Sequence, residues 1–145
     1  IGGTAAWADE NNPPAENPGA TVLNTPICYK PVDVLKLYKL DVAGLFEWPA
    51  GSAQMWTEVA PNNAIAQGAT HVYVETNFER DEAPLVTFRE VGLFVGLVLE
   101  PGAPVFGVVL PNQVTSPGVL EALDNRPPTQ RYIDKVDTVS LMFAF

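Results

Sequence analysis

The chain has one histidine and one cysteine with which to do chemistry. A histidine that acts as a base must lie beside a nucleophile, and no nucleophile motif flanks His71. Cys28 lies between Ile27 and Tyr29, without the nearby positive charge that activates a thiol. We therefore predict structural roles for His71 and Cys28, no catalytic residue and no intrachain disulfide.

The carboxylates Glu79, Asp81 and Glu82 form the densest acidic cluster, with Arg80 among them. Their spacing lacks the alternating ligand pattern of a calcium loop, so we predict a solvated turn, no metal and no cofactor. Paired carboxylates could also hydrolyse glycosides. The chain has 17 acidic residues, none paired by context, so a hydrolase stays an alternative.

Arg89 and Glu90 interrupt an apolar run and are the most informative charged pair. Charges in such a run usually lie at a strand end, a sheet edge or a subunit contact, where partners satisfy them. Gly92 and Gly96 follow on one face, and glycine in a strand indicates a bulge or a close approach of another backbone. We predict that this segment lies at an edge strand or forms a salt link to another chain.

The elements that position these residues are mostly strands. Residues 70–78 and 85–99 are rich in β-branched and aromatic residues, and a polar connection of hairpin length joins them. Residues 136–145 alternate strictly in hydrophobicity, which predicts a strand with one face on a core. Residues 32–42 are also predicted as a strand, although their alternating charges would suit a helical face, and residues 105–110 form a further apolar run. Residues 46–56 are predicted as a loop and strand edge, with a turn at Pro49 and Gly51.

Helix and loop signals are fewer. Residues 61–68 predict a short helix, capped by Asn62 or Asn63 and ended by Gly68. Residues 116–123 predict one helical turn with Ser116 as its cap, and residues 124–130 a proline-marked loop. The fold class is therefore mainly β: a single-domain antiparallel β-sandwich or partly open barrel with one or two short helices.

The charge balance excludes several partners. Eight basic residues against 17 acidic ones give a net charge of -9, which disfavours nucleic acid and anionic membranes. No apolar run reaches the roughly 18–20 residues that span a bilayer, and no secretory signal is present. The first residue is Ile1, so we expect a processed chain or a part of a gene product. The expected partner is another protein, not a small-molecule substrate.

Residues 1–31 are proline-rich and predict an extended N-terminal arm before a core domain at residues 32–145. Trp7 in such an arm needs a surface to lie on, either this domain's own flank or a neighbouring subunit. We predict that deletion of residues 1–26 leaves the core folded and abolishes assembly.

Three segments of the chain carry a family resemblance. They lie at residues 7–14 with 26–30, at 68–74 with 88–94, and at 116–128 with the terminal strand. In this order they resemble small structural proteins of tailed, especially contractile-tailed, bacteriophage virions. The segment at residues 88–94 also resembles a strand of tail-collar and fibre-attachment domains.

The resemblance implies a non-enzymatic virion protein made in the host cytoplasm, assembled as a homo-oligomeric ring in the neck or collar of the tail. Its partners would be further copies and other tail, neck or fibre proteins. A baseplate or fibre-attachment protein is the alternative within this class. A rival from a different class, which rests on the tryptophans and not on the resemblance, is a carbohydrate-binding module that stacks sugars on Trp7, Trp48 and Trp56. The candidate interface residues are Trp7, Asn12, Pro13, Pro14, Arg89, Glu90, Gly92 and Arg126.

Overall fold

Strands dominate the computed structural model, which describes all of residues 1–145. Strand makes up 41% of the chain and helix 7%, so the predicted mainly β class is confirmed. No helix is long and apolar enough to cross a membrane. In chain order the elements are β1 Val34–Leu40, β2 Phe46–Glu47, β3 Met55–Val59, α1 Ala64–Gln67, β4 His71–Phe78, β5 Thr87–Val95, β6 Val98–Leu99, β7 Val114–Ser116, β8 Val119–Gln130 and β9 Asp137–Ala144.

The chain forms two compact units. The first unit contains residues 1–31 and 77–137, and the second contains residues 32–76 and 138–145. The first 31 residues therefore belong to the same unit as β5 to β8. The division into an arm and a separate core stays a prediction.

The second unit is built on a five-stranded sheet of order β2-β3-β1-β4-β9. Strand β1 pairs antiparallel with β3 and with β4, so Tyr38 lies opposite Glu58 on one side and His71 on the other. Alternation along the strands brings Tyr38, Trp56 and Tyr73 into one buried cluster, against which Phe46 and Trp48 also pack. Aromatic burial of this kind holds the unit together.

The short helix of the second unit agrees with its prediction at one end only. Gly68 ends α1 in the left-handed conformation, with φ of 69°, which glycine adopts without a steric cost. At the other end Asn63 holds the predicted N-cap position, but its side chain makes no cap hydrogen bond. A 3-10 turn at Pro61–Asn63 leads into the helix instead.

The predicted hairpin between β4 and β5 is wrong. Strand β4 lies between β1 and β9, whereas β5 pairs with β8 in a separate two-stranded sheet. The two ends of the connection, at Glu79 and Val86, do not hydrogen-bond to each other; both are hydrogen-bonded to Arg131. Its guanidinium donates to the Glu79 carbonyl at 2.9 Å and its backbone N–H to the Val86 carbonyl at 3.1 Å. A long-range partner therefore overrides the local hairpin signal.

The predictions for residues 116–130 are also wrong, because this segment supplies the last residue of β7 and all of β8. Ser116 accepts a hydrogen bond from the Gly118 N–H at 3.3 Å, so it forms a turn and does not cap a helix. Pro127 and Pro128 lie in a register irregularity of the β5–β8 pair. Because β8 has a neighbour on one side only, these prolines need no ladder donor.

The apolar run at residues 105–110 does not form a strand. Val109 makes one isolated bridge with Tyr29, and Phe106 is 86% exposed. Strands β6 and β7 form the remaining two-stranded sheet of the first unit. The terminal strand β9 is confirmed, with Val139 and Leu141 buried on one face.

Candidate protein interface

All eight candidate interface residues lie in the first unit, on the N-terminal segment or on the β5–β8 sheet. In that sheet Glu90 is opposite Asn125 and Gly92 is opposite Leu123. The N-terminal segment joins the sheet through Gly2, whose N–H donates to the Glu90 carbonyl at 2.9 Å and whose carbonyl accepts the Glu90 N–H at 3.1 Å. The structure thus brings the predicted arm and the predicted charged strand together.

Arg89 binds the N-terminal segment through its guanidinium. Its Nε and Nη2 donate to the Glu10 carboxylate at 2.6 to 3.1 Å, and Nη1 donates to the Thr4 carbonyl at 3.0 Å. These charge-assisted bonds are bidentate, which fixes orientation as well as distance. The hydrogen bond from Arg89 also lowers the pKa of Glu10. Arg89 therefore has its ionic partner within the chain.

Glu90 is 1% exposed and receives its donors from Asn24. The Asn24 backbone N–H donates to Oε2 at 2.7 Å, and its side-chain amide donates to Oε1 at 2.5 Å. A buried carboxylate needs such donors to offset its lost hydration. Gly3, with φ of 72°, leaves room for Glu90, since a Cβ there would lie 2.9 Å from Glu90 Cγ.

Trp7 and Arg126 meet on this face. The Trp7 indole N–H donates to the Arg126 carbonyl at 3.0 Å, so the ring rests on the chain's own strand β8. The Arg126 guanidinium binds Asp124, with Nε at 2.8 Å from the carboxylate oxygen. Both residues are half-buried. The surface on which Trp7 lies therefore belongs to its own unit and not to a neighbouring subunit.

A turn ends at Asn12, whose N–H donates to the Asp9 carbonyl at 3.2 Å, and Pro13 and Pro14 follow it. The Asn125 side-chain amide donates to the Pro14 carbonyl at 3.0 Å, which attaches this stretch to β8. Asn12 and Pro14 are exposed, and Pro13 is half-buried. They give the face an outer rim that is fixed at one end to the sheet.

Gly92 allows close packing of side chains and not the close approach of a second backbone. A Cβ at this position would lie 2.8 Å from both Leu120 Cδ1 and Leu23 Cδ2. Gly96 has open space around it and takes φ of 83° beyond the end of β5. A register shift between Leu93 and Phe94 supplies the bulge that the glycines indicated.

Sequence reasoning missed a second polar cluster in this unit, which is centred on Arg131. This side chain is 1% exposed, donates to Asp137 at 3.0 Å and lies 5.1 Å from the Phe78 ring centre. Lys30 lies over the same ring and forms an ion pair with Glu82. The available sequence signal for this cluster was Arg131, a basic residue directly after the proline-marked segment at residues 124–130.

The acidic turn at residues 79–82 is therefore anchored through Glu82. No group of three metal-ligating side chains exists in the structure.

The residues with catalytic potential have structural surroundings. Cys28 is fully buried, and burial raises the pKa of its thiol. His71 Nδ1 is 2.9 Å from the Thr70 hydroxyl, and its ring packs 4.5 Å from that of Trp56. Trp56 is 6% exposed, so it cannot present a face to a sugar as the three-tryptophan platform requires.

Two comparisons bear on this chain. A family model described as "Baseplate wedge 3 tail fiber network component" matches residues 1–145. Virion protein 3 of Enterococcus phage phiEF24C is 31% identical over 139 residues, which cover 94% of this chain and 76% of that protein.

Proposed function

We propose, from the premise that this chain belongs to the baseplate wedge 3 tail fibre network component family, that it is a non-enzymatic connector in a phage baseplate. The chain is a structural protein of a phage virion, as the family and its virion relative agree. Its task is to hold neighbouring tail proteins together at the level of the tail fibres. The neighbours are bound through the face made by the N-terminal segment and the β5–β8 sheet.

The observation that carries this proposal is the fixation of the N-terminal segment on the sheet. Arg89 holds Glu10, Asn24 holds Glu90, and Trp7 holds the Arg126 carbonyl. A segment that is ordered before it meets a partner loses little conformational entropy on binding. The exposed residues Asn12 and Pro14 then present a rigid surface, which suits a permanent part of a particle.

The position of the chain in the virion is proposed from its family, whose description names the baseplate and the tail fibre network. This description supports the baseplate alternative over the neck or collar. The homo-oligomeric ring, the tail location and synthesis in the host cytoplasm stay predictions. The absence of enzymatic activity is likewise a proposal, supported by the burial of Cys28 and by the ring contact of His71.

Matched charge substitutions test the proposed face. Asn12→Lys changes an exposed rim residue, and Asn62→Lys makes the same change at an exposed residue of the other unit. We expect both variants to keep the wild-type melting temperature. Asn12→Lys should lower incorporation into tails by about tenfold, as loss of a well-placed interface contact does. Quantitative mass spectrometry of purified virions measures this, and equal incorporation of both variants would reject the face.

A further inference from the structure

The N-terminal segment carries negative charge and no positive side chain of its own. Residues 1–29 contain Asp9, Glu10 and Glu16 and neither lysine nor arginine. Glu10 is neutralised by its ion pair with Arg89. Asp9 and Glu16 are exposed and have no ion-pair partner in the chain. The segment therefore presents two carboxylates whose charge nothing in the chain balances.

Both carboxylates are fixed beside the outer rim of the candidate interface. Asp9 begins the turn that ends at Asn12, and its Oδ1 accepts the Asn11 N–H at 3.0 Å. Glu16 is attached to strand β8, because its Oε1 accepts the Asn125 N–H at 3.4 Å. These hydrogen bonds orient the two carboxylates and supply no counter-charge.

The positive charges of this face are already used within the chain. Arg89 pairs with Glu10, and Arg126 pairs with Asp124. Each guanidinium thus has a carboxylate of its own, so neither balances the two exposed acids. A partner that covers these acids must supply positive charge, because a carboxylate that loses its water without gaining a cation costs free energy.

Asn125, beside Glu16, shows independently that this face lacks hydrogen-bond donors. Its Nδ2 donates to the Pro14 carbonyl, whereas its Oδ1 is buried and accepts no hydrogen bond. Buried polar atoms nearly always have a partner. This oxygen is therefore an acceptor that the chain by itself leaves unsatisfied, next to the carboxylate that also lacks a cation.

We propose that the neighbour bound at this face is a protein with a positively charged surface, whose lysine or arginine side chains pair with Asp9 and Glu16. These side chains supply both positive charge and N–H donors, the two things that the face lacks. The inference rests on the proposed connector function and names the chemistry of its partner. A second copy of this chain is disfavoured, since it would bring the same carboxylates and a net charge of -9 to the contact.

Neutralising the two carboxylates without changing their shape tests the pairing. The double variant Asp9→Asn with Glu16→Gln keeps the oxygens that accept the backbone N–H groups and loses both charges. The control, Asp134→Asn with Glu100→Gln, makes the same changes at exposed residues of the same unit. We expect both to keep the wild-type melting temperature. Supplied together with wild-type chain during phage growth, the first should enter virions about tenfold less than wild type, and the control equally.

The sign of the charge gives a second test at a single position. Asn12→Glu and Asn12→Lys place long side chains of opposite charge on the exposed rim. A positively charged partner should accept Asn12→Glu at least as well as wild type and reject Asn12→Lys. Quantitative mass spectrometry of purified virions measures the incorporation of every variant.

Two results would overturn the proposal. One is incorporation of the neutralised double variant equal to that of its control. The other is an equal loss for Asn12→Glu and Asn12→Lys, which would leave the connector face intact and show that side-chain size matters there and charge does not. Normal incorporation of both Asn12 variants would instead reject the face, and with it the contact of the proposed connector function.

Discussion

The guanidinium of Arg89 binds the carboxylate of Glu10, 79 residues away along the chain. This contact and the Arg89 bond to the Thr4 carbonyl attach the N-terminal segment to strand β5. The N-terminal part of the candidate interface is therefore held in place by the polar contacts of Arg89 as well as by apolar burial. Each of these contacts can be changed separately.

Replacing Glu10 by glutamine should release the segment around it without unfolding the unit. The amide loses the charge and cannot accept from both Arg89 nitrogens as a carboxylate does. Hydrogen exchange followed by mass spectrometry should show about tenfold faster exchange at residues 4–16. Glu100→Gln, at an exposed residue, is the control. Unchanged exchange in Glu10→Gln would mean that the segment is held by other contacts.

The same ion pair predicts a response to acid. The pKa of Glu10 is lowered in the folded protein from its ordinary value of 4.5. The contact therefore contributes fully above pH 4.5 and is lost as the pH falls through the lower, folded pKa. Exchange at residues 4–16, taken relative to the intrinsic exchange rate at the same pH, should rise in this acid range in the wild type. In Glu10→Gln it should show a smaller rise, and an equal rise would assign the acid response to another group.

Glu90→Gln should destabilise the first unit. One carboxylate oxygen becomes an NH₂ group that faces an Asn24 donor, so a buried donor loses its acceptor. We expect a loss of about 2 kcal/mol in the free energy of unfolding, measured by urea denaturation. Glu58→Gln, at a carboxylate with 54% of its side chain exposed, should change it by less than about 0.5 kcal/mol. Equal effects would show that the Asn24 contact contributes nothing.

Gly118 and Gly96 offer a matched pair in which only the available space differs. Both have positive φ, of 79° and 83°. A Cβ at Gly118 would lie 2.1 Å from the Val95 carbonyl oxygen, whereas a Cβ at Gly96 would have no atom within 4 Å. Gly96→Ala should cost about 1–2 kcal/mol for the left-handed conformation alone. Gly118→Ala should cost more, since backbone must move. Thermal unfolding of both variants measures the difference, and equal melting temperatures would contradict the close approach.

Burial in the N-terminal segment changes what truncation should do. Leu23 is 3% exposed and Ile1 is 7% exposed, so deletion of residues 1–26 should destabilise the first unit as well as remove the face. Leu23→Ala isolates this effect and should cost about 2–4 kcal/mol in unfolding free energy. Leu45→Ala, at a residue 99% exposed, is the control. A truncated chain with wild-type stability would support the original prediction of an independent core.

The elements that sequence predicted best are those whose signal is local. Strand β9 has strict alternation, and α1 ends at a glycine that takes positive φ. Strand β8 was missed because its prolines are tolerated only on account of a register irregularity and a missing second neighbour. The hairpin failed because Arg131, distant in sequence, bonds both ends of the connection. At the site, Arg89 and Glu90 were identified as unusual, but Glu10 and Asn24 follow no local pattern.

Electron cryomicroscopy of the intact virion tests the connector function most directly. The account predicts density for this chain in the baseplate, with the face around Asn12 and Pro14 in contact with a neighbouring tail protein. Density for the chain in the neck or collar, or a baseplate position in which that face is exposed to solvent, would contradict it.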